Sequence, residues 1–531
     1  MKASAFLANL AWERSCRKDA GALRRALDDP AREQAALLER IVRRNEGTAF
    51  GRAMGFAGIR SVSDYRERVP LSSYDDYVAY VERIRAGEQR VLTADAVERL
   101  VPSSGSTAAR KLIPFTPSLR REFQRAIGAW ISDMFRGNRD LLRGPSYWAI
   151  SPAIPESNEA GAVPVGFDDD SAYLGFWSRR LVRASLAVPS SVRHVENVDD
   201  FRMATLLFLL RARELRVVSV WHPSFLELLC SFMAERWGDL LRAVADGVRV
   251  PGLEGADAAI VMRGDRALAR SLEAADPARP ESVWPRLGCI SCWADGQAAG
   301  AVAALRRLIP ATPIVPKGLV ATEAIVSLPF GGARPIAIGS HFIEMVDAGG
   351  EVRGVEEARE GETYSVVVTT SGGLYRYRLH DLVRVDGFVS NTPSIRFVGK
   401  EDRISDLCGE KLSEGFVASA LAAAFGGDER MPEFAMLAPE RSDAAAGYVL
   451  FVDARASLPE GIAQRLEREL SANPHYDWAR KLGQLAAVEV VQVGEGAHRA
   501  VVAELAHRGQ LLGAVKASCL RPETGWREVL L

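Results

Sequence analysis

The sequence predicts an α/β protein in two parts: a large N-terminal α/β domain with a β-rich subdomain, then a small α+β C-terminal domain. Three observations carry this. From Tyr147 to Pro316 short apolar runs alternate with longer helix-period patterns, which is the texture of strands and helices taking turns in one sheet. After Pro335 the texture turns to β, with strand-like runs at 342–346 and 363–370 and a Ser371-Gly372-Gly373 turn between apolar segments. Beyond a glycine and a charge cluster at 397–404, a shorter tail mixes both periods. At 531 residues the chain exceeds what one hydrophobic core usually serves. The division is placed at 1–398 and 399–531, with the hinge at Gly399 to Asp402.

Taken in order, Leu23, Ala26 and Leu27, then Leu38, Ile41 and Val42, recur at helical spacing on either side of Pro30, which divides two helices. Arg68-Val-Pro-Leu-Ser-Ser-Tyr-Asp-Asp-Tyr77 puts a proline stop ahead of a helix with Tyr74, Tyr77 and Val78 on one face. Residues 101–116 form a hydroxyl-rich turn: Ser103, Ser104, Gly105, Ser106 and Thr107, then Arg110, Lys111 and Pro114. Gly105 lets successive amide N–H groups converge on one anion, and the hydroxyls add donors. Such clusters are also ordinary turns, so the loop alone leaves both readings open. It is not a Walker A loop, because no second glycine precedes Lys111 and Leu112 follows it. Leu119, Phe123, Ile127, Trp130 and Ile131 then mark a helix.

The runs at 147–150, 217–221, 289–293 and 312–315 read as strands, and 203–210 as a buried helix, far short of the ~20 residues a membrane span needs. Trp221-His-Pro-Ser-Phe-Leu226 reads as a strand end opening a helix, where α/β folds collect ligands. Leu379-His-Asp-Leu-Val-Arg-Val385 sets Asp381 between two strand-like pieces, either as a ligand-binding acid or as the cap of a turn. The tail reads helix 414–425, strands 434–437 and 448–452, a helix through Ile462, Leu466 and Leu470, and strand 487–493.

Composition narrows the function. Lys plus Arg (67) balances Asp plus Glu (68), for a net charge of -1, so nothing in the charge calls for nucleic acid or an anionic membrane as partner. Asn9 and Glu13 interrupt the apolar start, and the chain reads as cytoplasmic. Of six cysteines only Cys289 and Cys292 form a CxxC pair, and without a second ligand pair they read as buried thiols rather than a zinc site. There is no GxSxG elbow and no HExxH pair, which sets hydrolase chemistry aside.

Taken together, Arg68–Tyr77, the Ser-Ser-Gly loop at 103–105, Trp221–Leu226, Trp284-Pro-Arg-Leu287, Lys317-Gly-Leu-Val-Ala-Thr-Glu323, Leu374-Tyr-Arg-Tyr-Arg-Leu-His-Asp381 and Asn473-Pro-His-Tyr-Asp-Trp-Ala-Arg480 resemble the Gretchen Hagen 3 family of acyl acid amido synthetases. The resemblance covers nearly the whole chain. It implies the architecture of adenylate-forming enzymes, with ATP between a large domain and a small mobile one. A carboxylate would attack the α-phosphorus of ATP, pyrophosphate would leave, and an amine, usually an amino acid, would take the acyl group. By resemblance Ser103, Ser104, Gly105, Ser106 and Thr107 hold phosphate, Thr322 meets the α-phosphate, Glu323 helps hold Mg2+, Asp381 binds the ribose hydroxyls, Arg378 approaches the adenylate and Lys516 swings onto the α-phosphate. Phe123, Ile127 and Trp130 are expected to line the acyl pocket.

The chain also departs from the family. The loop at 103–111 is shorter, His380 stands where glycine usually precedes the ribose acid, and Ala514 and Ser518 replace the glutamine and proline flanking the lysine. Thioester formation on coenzyme A or a carrier protein, and a member that binds without turnover, are the alternatives.

Overall fold

The computed structural model describes residues 3–102, 111–149, 162–166, 184–195, 197–249, 261–296, 298–401, 404–405, 407, 410, 412–441, 446–455, 458–481, 485–508 and 518–531. Five loop positions, Ser103, Ser104, Gly105, Ser106 and Thr107, lie outside the described residues, as does Lys516.

The N-terminal periodicity is realised as helices Ala3–Ala26 and Pro30–Asn45, with Pro30 in the first turn and the Asp29 carboxylate accepting from the Arg32 amide at 3.2 Å. The polar breaks in the apolar start are buried and hydrogen-bonded, with Asn9 Oδ1 left without a partner. Asn9 donates to the carbonyls of Leu142 and Gly144 at 3.2 and 2.9 Å, and Glu13 accepts from the Arg17 guanidinium at 2.7 Å. The helix expected after Arg68 starts with a 3-10 turn, Asp75–Tyr77, before Val78–Arg85. Its tighter winding turns Val78 out to solvent while Tyr77 stays buried, so those two do not share a face as expected.

The alternating middle of the chain forms a four-stranded parallel sheet, β1 (Ser146–Trp148), β2 (Val217–Ser219), β3 (Cys289–Cys292) and β4 (Ile314–Pro316), in that spatial order. Helices Val198–Arg211, Pro223–Glu235 and Ala298–Leu308 cover it, and the apolar run 203–210 is buried as expected. Every residue of β3 is buried, and burial pushes the thiols of Cys289 and Cys292 up to about 11 and about 12. Both are therefore packed thiols at neutral pH, as the lone CxxC pair predicted.

The β-rich region is a five-stranded antiparallel sheet of β5 (Phe342–Val346), β6 (Val352–Gly354), β7 (Thr363–Thr369), β8 (Tyr377–Val389) and β9 (Thr392–Lys400), in spatial order β6-β5-β7-β8-β9. Asp295 joins this sheet to the end of β3: its carboxylate accepts from the Phe397 amide at 3.3 Å and pairs with Arg334, while Trp293 packs edge-on to Phe397 at 5.3 Å.

The tail contributes β10 (Ala435–Arg441), β11 (Ala446–Asp453) and β12 (Glu489–Val493), with β10 antiparallel and β12 parallel to β11, packed by helices Glu414–Phe425 and Ile462–Leu470. Its buried residues cluster among themselves. Among the described residues, those of the tail's clusters start at Leu412, while the large cluster under the antiparallel sheet ends at Ile395.

Candidate active site

Asp381 owes its position to a bulge in β8. Leu382 pairs with Ser365 and Arg378 with Val367, so three residues of β8 lie opposite Val366 alone. Bulges re-aim side chains, and this one needs His380 at φ +57°, a left-handed conformation that glycine adopts without strain and other residues rarely do. A glycine is what the family resemblance led us to expect there, and the backbone supplies the reason. The His380 ring lies 3.3 Å from Glu401, whose amide donates to the His380 carbonyl, and the ring's hydrogen bond holds the Glu401 carboxyl below its ordinary range.

Asp381 lies inside one continuous strand rather than between two pieces or in a turn, because β9 pairs along it from Lys400 to Thr392. Its partner in register is Lys400, whose Nζ lies 2.7 Å from an Asp381 carboxylate oxygen. Of the expected hinge, Gly399 and Lys400 are paired strand residues, and Asp402 lies outside the described residues. The alternation failed as a signal there because Arg396, Lys400 and Glu401 interrupt it.

Glu323 and Thr322 are half-buried on an irregular segment six and five residues beyond Lys317, with no helix there for Glu323 to cap. Burial raises the Glu323 carboxyl above its ordinary range and Asp381 adds to that, while Lys400 and Lys111 oppose it. Glu323, Asp381, Lys400 and Lys111 thus share one electrostatic site. Lys111 also marks where the Ser/Gly loop re-enters: strands Arg99–Pro102 and Leu112–Phe115 pair antiparallel, with Pro102 opposite Leu112, so both ends of the loop are held at this site. Arg378 donates its amide to the Ser72 carbonyl at 2.9 Å, and its buried Nε has no hydrogen-bond partner.

A second group of side chains gathers at the carboxyl ends of the parallel strands. Trp148 closes β1 and pairs in register with Ser219 at the end of β2. Backbone bonds extend the ladder past the strands, from Trp293 N–H to Trp221 O at 2.8 Å and from Lys317 N–H to Cys292 O at 3.0 Å. Lys317, only 6% exposed, sends its ammonium to Ser219 Oγ at 2.5 Å. It lies 5.2, 5.4 and 5.2 Å from the ring centroids of Trp130, Trp148 and Trp221. Such π contacts are worth about 0.5–2 kcal/mol each and replace part of the hydration a buried ammonium loses.

Of the three expected pocket residues, Trp130 faces this group. Phe123 packs in the core edge-on to His341 at 5.5 Å, and Ile127 is half-buried against the same core. Sequence reasoning missed Lys400, Ser219, Ser291 and Trp148 as site candidates. It quoted Lys317 only as part of a motif, although a lysine directly after an apolar strand was a usable signal.

Comparison with known proteins agrees with this architecture. Family models described as the GH3 family N-terminal, central and C-terminal domains match residues 20–314, 338–400 and 417–524. The chain is 26% identical over 570 residues to a probable indole-3-acetic acid-amido synthetase, GH3.12, of Oryza sativa subsp. japonica, covering 94% of this chain and 92% of that protein. It is 21% identical over 542 residues to the jasmonoyl-L-amino acid synthetase JAR6 of Nicotiana attenuata, covering 93% and 92%. The fold superposes on AtGH3.15 acyl acid amido synthetase in complex with 2,4-DB with a TM-score of 0.82, at 20% identity, over 97% of this chain and 95% of that one.

Proposed function

Because this chain belongs to the GH3 family, we propose that it is an ATP-dependent acyl acid amido synthetase: it adenylates a small carboxylic acid, releasing pyrophosphate, and passes the acyl group to an amine, an amino acid by preference, releasing AMP. The observation that carries the site is the convergence of Asp381, Glu323, Lys400 and Lys111 where the Ser/Gly loop begins and ends.

In this reading Asp381 accepts from the ribose hydroxyls through two carboxylate oxygens, and the Lys400 ammonium holds it in place. The orphaned Nε of Arg378 fits an anionic ligand, since a buried donor without an acceptor is costly unless something bound supplies one. Thr322 donates to the α-phosphate. Glu323 with nucleotide oxygens suits Mg2+, which usually takes one or two protein carboxylates and would neutralise phosphate charge during displacement. Ser103, Ser104, Gly105, Ser106 and Thr107 cradle the departing phosphates, which in a loose in-line displacement need oriented donors rather than a covalent nucleophile. Lys516 supplies a mobile positive charge to the α-phosphate.

The chain divides just past β9 in this reading, beyond the expected 398/399, because Lys400 stays with Asp381, and the part that follows moves to bring Lys516 in. Support comes from the separate clustering of buried residues up to Ile395 and from Leu412 onward. No helix of the described residues is long and apolar enough to cross a membrane, and the cytoplasm is the proposed compartment. Carboxylate-dependent ATP/pyrophosphate exchange with Mg2+ and no amine, across aryl, indole and aliphatic acids, tests adenylation. The acid that supports exchange is then offered amino acids and coenzyme A: amide formation is expected, and a thioester alone overturns the acceptor assignment.

A further inference from the structure

The carboxyl ends of the parallel strands carry a buried polar spot that the amide-forming reaction does not itself require. Ser219 and Ser291 pair in register on adjacent parallel strands, so their side chains lie on one face of the sheet, the face that also carries Trp148. Val315 pairs with Ser291, which puts Lys317, two residues on, on that same face. β3 lies between β2 and β4, so the Lys317 side chain crosses over the Ser291 strand to reach Ser219. Ser291 is 1% exposed and its hydroxyl has no hydrogen-bond partner. Around this spot stand the faces of Trp130, Trp148 and Trp221, and Trp221 is 41% exposed, which opens one side of the ring to solvent.

We propose that Lys317 and Ser291, within the tryptophan ring, determine acyl-donor specificity by receiving an oxygen substituent of an aromatic carboxylic acid, a hydroxyl or a second carboxylate, remote from the carboxylate that is adenylated. The proposal rests on the amido synthetase reading and names the substrate class of that site. Flat indole faces match an aromatic ring, by stacking. An ammonium and a hydroxyl among tryptophan faces match an oxygen acceptor, and a purely hydrocarbon acid would leave the Ser291 hydroxyl buried without a partner. The position fits as well, because ligands of α/β sheets sit beyond the carboxyl ends of the strands, and Thr322 and Glu323 follow Lys317 directly out of β4.

The test compares matched acids, benzoate against hydroxybenzoates and benzenedicarboxylates, and phenylacetate against 4-hydroxyphenylacetate. The full chain is used as wild type, Lys317→Met and Ser291→Ala. The wild type is expected to favour the oxygen-bearing acid by about tenfold or more in kcat/KM for exchange, the discrimination typical of a site built to hydrogen-bond its substrate. The hydroxyl and carboxylate arms tell which oxygen group is read. Lys317→Met is expected to abolish that preference with the KM for ATP unchanged, and Ser291→Ala to reduce it. Equal loss on both members of a pair in Lys317→Met, or no wild-type preference, overturns the proposal. If Lys317→Met does not fold, Ser291→Ala decides, and an unchanged preference in it overturns the proposal. Should no acid support exchange, the amido synthetase reading fails first, and thermal shifts with the same acid pairs decide the pocket: a larger wild-type shift with the oxygen-bearing acid supports it, and equal or absent shifts overturn it.

Discussion

At residue scale, the chemistry is concentrated where the backbone of β8 is least regular. Asp381 is mostly buried and bonded to Lys400, so Asp381→Ala removes both the acceptor proposed for ribose and the partner of a nearby cation. The KM for ATP in the exchange assay is expected to rise by about tenfold or more, in line with ~1.5–3 kcal/mol for a hydrogen bond to a charged group. A rise seen only in the KM for the acid would move Asp381 out of the nucleotide site. His380 gives a separate test of the bulge. A left-handed conformation costs a non-glycine residue about 1–2 kcal/mol, more when it is β-branched. At φ +57°, His380→Val is expected to lower stability by about that amount relative to His380→Gly, read from urea midpoints. Equal midpoints would mean that the bulge relaxes freely.

Among elements, helix Pro117–Gly137 connects the loop to both sheets. Thr116 caps it, accepting from the Leu119 amide at 3.1 Å, and Ile131 and Phe135 bury its far end beside Trp12. In its second turn, Glu122 is buried and accepts from Ser371 Oγ at 2.5 Å and the Ser371 amide at 3.1 Å, with the His341 ring at 3.1 Å. This bond set pins the turn at 371–373 to the helix. Its removal in Glu122→Ala strands several buried donors, and a loss of about 3–5 kcal/mol is expected in equilibrium unfolding. A cost under ~1 kcal/mol, the range of an exposed pair, would show that the network contributes little to the fold.

For the molecule as a whole, contacts of the tail with the large part among the described residues include a close glycine contact and an exposed ion pair. Arg307 and Glu433 pair at 2.9 Å with both side chains largely in water, so their bond is worth about 0–1 kcal/mol and cannot hold the parts together alone. At the other contact, a Cβ on Gly399 would meet Gly415 Cα at 2.9 Å, whereas one on Gly415 finds nothing nearer than a Leu382 side-chain carbon at 3.6 Å. Gly399→Ala is therefore expected to push helix Glu414–Phe425 off β9 and cost about 1–3 kcal/mol, and Gly415→Ala to cost less. Denaturation midpoints of the two variants check the order, and the reverse order would show that this contact yields easily.

Much of this was legible in the sequence, because much of it is local. Helix Glu414–Phe425 and the four parallel strands follow from period and from punctuation by glycine and proline, which act within a few residues. The motifs around Asp381 and Glu323 were legible as family spacing. Strand β9 was not, since its charged residues hide the alternation and only its partner makes it a strand. The Asp381–Lys400 pair and the ring around Lys317 were equally out of reach. Trp148, Ser219 and Ser291 belong to three different strands and Lys317 follows a fourth, so they become neighbours only through a parallel ladder, whose long crossovers leave no spacing in the chain to read. The sequence by itself determined the elements and the chemistry available; tertiary structure decided which charges and rings meet, because a contact between distant segments is set by sheet order and register.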